Sequence, residues 1–131
     1  MKTTVFSLFL LLVLSLVGCS KVDNEENVND FKSQIVGTWN VVEFTSDGVT
    51  DDVDPGDITM VINQNNTYSI KYYDEFRTGS YTLSDNTLYG VSNETEPMKE
   101  TFVFTSITGN TAIINYSNSD GMTAVIKSVK Q

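Results

Sequence analysis

The chain has 131 residues, 40% of them hydrophobic, and a net charge of −9 with no histidine. That length fits one domain with one modest core. An acidic surface excludes nucleic acid, whose phosphates need Lys and Arg, and gives no electrostatic adhesion to anionic lipid. Without histidine the commonest general base and metal ligand are missing, and Arg77 is the single arginine.

Lys2 supplies a positive charge at the start, and an apolar run from Val5 to Val17 follows, broken only by Ser7 and Ser15. A bilayer-spanning helix needs about 20 apolar residues, so the run is too short for a permanent span and reads as a secretion signal. It ends in Leu16-Val17-Gly18-Cys19, which resembles the lipobox of bacterial lipoproteins. The resemblance implies cleavage after Gly18 and diacylation of Cys19, the only cysteine. The competing reading is an ordinary signal peptide with an incidental thiol. Lipidation would consume that thiol and anchor the protein to a membrane without spanning it. The expected organisation is a signal peptide over 1–18, a tether over 19–30 and a domain over 31–131. The tether is polar and acidic, as a solvated linker should be. Its acids also look like the surface-export signal of Bacteroidetes lipoproteins.

Asp30 is placed to cap a helical turn over Phe31 to Gln34. Beyond it the pattern is short alternating segments between turn signals, which predicts eight strands. They span 35–45, 58–63, 67–73, 79–83, 87–91, 100–108, 111–117 and 122–129. Asp47 to Asp57 is expected as an acidic loop, 74–78 as a turn, and Gly109-Asn110 as a two-residue hairpin. Eight consecutive strands with tight connections predict an all-β, antiparallel, up-and-down barrel, because closure removes exposed edges.

Gln34-Ile35-Val36-Gly37-Thr38-Trp39 at the start of the first strand resembles the Gly-x-Trp signature of lipocalins. The preceding helical turn fits as well. The whole is similar to the small lipocalin-like lipoproteins of Bacteroidetes over about residues 31–129. The resemblance implies that Trp39 forms the floor of the barrel with Gly37 packed against it. Lipocalins place a late arginine over that tryptophan. None is recognisable here, and Lys127 or Lys130 is the available substitute.

Alternation puts Tyr68, Tyr72 and Tyr81 on the inner face with Trp39, Met60 and Ile62. The candidate ligand contacts are Trp39, Met60, Tyr68, Tyr72, Tyr81 and Phe102. Two readings stand side by side. One is an amphipathic cavity with aromatic walls, for which about 300 Å3 or more is needed. The other, favoured by the narrow bore of an eight-stranded barrel, is a core filled by these side chains with hydroxyls at the rim.

Glu43 falls on the Trp39 face if the first strand is regular, but a bulge at Val41-Val42 would turn it outward, and the bulge is the stronger expectation. Asp51, Asp52, Asp54 and Asp57 crowd one loop as a calcium site would, yet position 12 counted from Asp52 is Asn63 where the EF-hand loop needs Glu. A solvated loop is expected. Three sequons, beginning at Asn65, Asn93 and Asn115, are read as turn chemistry. There is no Gly-x-Ser-x-Gly elbow and no glycine-rich phosphate loop. An enzyme would need paired acids such as Glu43 and Glu100 within several ångströms. No catalytic residue, metal or cofactor is assigned. The leading expectation is a lipid-anchored envelope protein that binds a small apolar or amphipathic molecule. The alternative is an interaction module for an envelope protein complex, with the barrel as scaffold.

Overall fold

Alternation of apolar and polar residues, sustained over nearly the whole chain, determines the architecture. A computed structural model describes residues 30–131. The expected signal peptide, Cys19, and all of the expected tether except Asp30 lie outside the described residues. Among the described residues a single short helix, α1, covers residues 30–35. It takes in Asp30 and also Ile35, which the strand pattern had claimed.

Nine strands follow. They are β1 (Gly37–Ser46), β2 (Val49–Asp52), β3 (Ile58–Ile62), β4 (Thr67–Tyr72), β5 (Glu75–Ser84), β6 (Thr87–Ser92), β7 (Lys99–Thr108), β8 (Thr111–Asn118) and β9 (Thr123–Lys130). All neighbours are antiparallel, in the order β2-β1-β3-β4-β5-β6-β7-β8-β9, and β1 also pairs with β9. That last pairing closes β1 and β3–β9 into an eight-stranded up-and-down barrel.

The ninth strand corrects the expectation of a loop over Asp47 to Asp57. Val49–Asp52 turns back and pairs with Glu43–Ser46, while β3 pairs with the other half of β1, at Gly37–Asn40. The two short strands thus share one long neighbour. Asp47 and Gly48 make the turn in the left-handed region, with φ of 52° and 77°. Between β4 and β5 the expected turn at 74–78 contracts to Tyr73-Asp74, because Tyr72 pairs directly with Glu75. The sequence hid this turn behind Tyr73, a bulky residue held at φ 55°.

The two ends of the barrel differ. At one end, α1 and the turns at 63–66, 85–86 and 109–110 close it over the core. Trp39 is fully buried there and donates its indole N–H to the Ile35 carbonyl at 2.8 Å. Phe31 meets Phe104 edge-on at 5.5 Å. Lys130 sets its ammonium 5.6 Å from the Trp39 ring centroid and donates to the Gln34 carbonyl at 3.1 Å. Lys130 therefore holds the position over the tryptophan. Lys127 points elsewhere and faces Glu43 at 3.9 Å. Gly37 beside them has a φ of 142°, a backbone conformation that residues with a side chain rarely adopt. Burying side chains such as Trp39, Ile62, Leu88 and Ile114 contributes about 1.5–3 kcal/mol each. At the other end lie 47–57, the Tyr73-Asp74 hairpin, 93–98 and 119–122, and that end is open.

Candidate functional site

The interior is divided. The half next to α1 is filled, and the half toward the open end holds a cavity of about 310 Å3. The favoured expectation of a wholly filled core is thus corrected for the open half. The division follows from side-chain size along the strands. Trp39, Tyr81 and Phe104 plug the lower half, whereas Val41, Met60, Ile70 and Ile126 leave space above them.

The cavity lining is mostly apolar, with Val41, Phe44, Ile58, Met60, Ile70, Phe102, Ile114 and Ile126. Arg77, Tyr116, Asn118 and Ser128 place polar groups among them, and Tyr72, Glu75, Met98, Asp120 and Met122 stand toward the mouth. Arg77 and Tyr116 belong to a polar cluster. Glu100, near the start of β7, has a fully buried side chain. Its carboxylate accepts four hydrogen bonds: from the Tyr68 hydroxyl at 2.6 Å, the Tyr116 hydroxyl at 2.8 Å, Arg77 Nε at 3.3 Å and Arg77 Nη2. A carboxylate has about four acceptor positions, so Glu100 is saturated. The cluster ties β4, β5, β7 and β8 together through side chains.

Two glycines make room for it. A Cβ on Gly79 would lie 2.7 Å from the Tyr68 ring, and one on Gly90 2.8 Å. The ring lies against the bare backbone of β5 and β6 and so carries its hydroxyl across to Glu100. The electrostatics follow from burial. Loss of water and the adjacent Glu100 carboxylate push the Tyr68 and Tyr116 hydroxyls well above the ordinary tyrosine range. Burial alone raises Tyr81. Burial is the largest influence on Arg77 and works against its charge, but the hydrogen bond to Glu100 and the negative charge around it together hold the guanidinium above its usual value.

The candidate residues separate into three groups. Met60, Tyr72 and Phe102 line the cavity. Tyr68 is buried and committed to Glu100. Trp39 and Tyr81 belong to the closed end, where the Tyr81 hydroxyl donates to the Asn63 carbonyl at 2.7 Å and Lys32 covers the ring. A shared face therefore did not mean a shared site, because the inner face runs from one end of the barrel to the other. Glu43 lies beyond the expected bulge, where the register shifts between Val41 and Glu43, and it is on the outer face. Glu100 is inside, so these two acids do not form a pair. Asp51, Asp52 and Asp54 are exposed. Sequence reading missed Arg77 as a cavity residue. The signal was present, because Arg77, Gly79, Tyr81 and Leu83 alternate, but the expected strand began only at Gly79.

Comparison with family models, with curated proteins and with solved structures found no match for this chain. The functional reading rests on the barrel's own geometry and on the sequence.

Proposed function

We propose that the protein is a lipid-anchored component of the cell envelope whose barrel holds one small amphipathic molecule in its open half. The observation that carries this is the cavity of about 310 Å3 with a mostly apolar lining and a few polar side chains among it. That volume matches the lower range of small-molecule sites, which are mostly apolar with a few placed polar groups. The lipocalin resemblance at Gly37 and Trp39 supports the same reading, as does Lys130 over the indole. Anchoring through Cys19 remains the reading of the lipobox. The chain enters the barrel at the α1 end, so a tether joined there leaves the mouth at the far end accessible.

Native mass spectrometry of the protein released gently from its own membranes tests this. The expected result is a barrel carrying one small molecule, lost when Ile70→Trp fills the cavity. Bare protein, or an adduct that survives Ile70→Trp, contradicts it. The second reading, a scaffold for a protein partner, has its support in the exposed side chains near the mouth, Tyr73 and Phe76. Crosslinking from intact membranes at that rim would capture such a partner.

A further inference from the structure

We propose that the cavity selects a cationic amphipath, an alkyl chain with an ammonium head. This rests on reading the cavity as a ligand site, and it adds the charge of the ligand. Among the residues lining the cavity and the recess beside it, Arg77 is the only cation. Its Nε and Nη2 are both engaged by Glu100, and the Tyr68 and Tyr116 hydroxyls donate to the same carboxylate. Arg77 and Glu100 cancel. An anionic head could still reach Arg77 N–H groups that Glu100 does not engage, but it would find no net positive charge there.

What remains uncompensated is negative. Glu75 and Asp120 line the cavity toward its mouth, and Glu94 lines the recess that shares Ile70, Tyr72, Glu75 and Arg77 with it. Lys71 donates to the Gly56 carbonyl at 2.9 Å and lines neither the cavity nor the recess. Aromatic rings stand at the same place. Tyr72 lies edge-on to Tyr73 at 5.0 Å and to Phe44 at 6.5 Å, and such rings attract a cation over their faces. Deeper in, the apolar lining suits an alkyl chain. Ser128 adds a fully buried hydroxyl with no partner among the described residues. That hydroxyl is a hydrogen-bond position that a ligand polar group can occupy. An ammonium at the mouth with its chain inward thus meets acids and aromatic rings at its head and apolar side chains along most of its tail.

The experiment is calorimetric titration of the full-length chain carrying Cys19→Ala, which has no lipid of its own to compete, with decylammonium, decanoate and decanol below their micelle concentrations. Decylammonium should bind about tenfold or more tighter than either of the others, as two or three partly exposed ion pairs provide. Glu75→Gln with Asp120→Asn should remove most of that preference and leave decanol unchanged. Ile70→Trp should abolish binding of all three while the apolar leader is still present. Met122→Trp, at an exposed rim position, serves if Ile70→Trp fails to fold. Decanoate or decanol binding as tightly as decylammonium overturns the proposal and leaves the ligand site standing. Decylammonium binding that survives both blocking variants also overturns it, since the amine is then held elsewhere. Binding by none of the three overturns the ligand site itself.

Discussion

The Tyr68 hydroxyl donates to the Glu100 carboxylate at 2.6 Å inside the barrel, joining residues 32 positions apart in the chain. The contact exists because Gly79 and Gly90 leave the Tyr68 ring a bed of bare backbone. Gly90→Ala should therefore act like overpacking, costing about 2 kcal/mol, with the buried ring unable to move aside. Tyr68→Phe keeps the packing and loses the hydrogen bond to a charged group, costing about 1.5–3 kcal/mol. Denaturant unfolding checks both. A wild-type midpoint for Gly90→Ala would show that the ring is free to shift.

Removing one member of the Arg77–Glu100 pair should be worse than removing both. Arg77→Met leaves a carboxylate buried without its counter-charge, at about 3 kcal/mol or more. Glu100→Gln leaves a guanidinium with 19% of its side chain exposed, so water recovers part of the loss and the cost is smaller. The double variant Arg77→Met with Glu100→Gln should cost less than the sum of the singles. Additive costs would mean that the two groups do not stabilise one another.

Stability should fall at alkaline pH. Tyr68, Tyr81 and Tyr116 have hydroxyl pKa values raised in the folded state, so above the ordinary value near 10 the unfolded chain gives up protons that the folded chain keeps. Fewer protons are then bound unfolded than folded, and the stability of the fold decreases as pH rises. It is fully present below about 10 and declines toward the raised folded values. Melting temperature measured from pH 8 to 11.5 should be level at first and then drop. Tyr68→Phe with Tyr116→Phe should make the drop shallower. Absorbance titration should show these tyrosines ionising only as the barrel unfolds.

Ser128 gives a prediction of opposite sign. Its hydroxyl is buried with no partner among the described residues, so Ser128→Ala should leave stability unchanged or raise it by about 1 kcal/mol. A clear loss in thermal unfolding would mean that the hydroxyl has a partner in solution.

Much of this architecture could be read from the residues, and the reasons are local. Period-two alternation marked the barrel strands, the turn residues at Asn65-Asn66 and Gly109-Asn110 marked their limits, and Val41-Val42 gave the bulge that turns Glu43 outward. The sequence was silent where pairing is decided at a distance. Val49–Asp52 is too polar to read as a strand and forms one because it meets the free half of β1. The site was partly legible. Met60, Tyr72 and Phe102 were chosen from the inner face and do line the cavity, but height along the barrel separates them from Trp39 and Tyr81, and period-two patterning carries no height. Glu100 had been considered only as one of a pair of acids. Its place in the cluster depends on glycines in two neighbouring strands, a relationship no single segment contains.

If the open half of the barrel receives a small molecule, three methionines stand where it would go. Met60, Met98 and Met122 line the cavity, and the fourth, Met1, is in the expected signal peptide. Carbon-13 labelling of the methionine methyl groups, followed by NMR during titration with the tightest-binding decyl probe, reads the cavity directly. Met60, Met98 and Met122 should shift together and saturate at one equivalent. Shifts confined to the exposed Met122, or none at all while the probe binds, would rule out a ligand in the cavity.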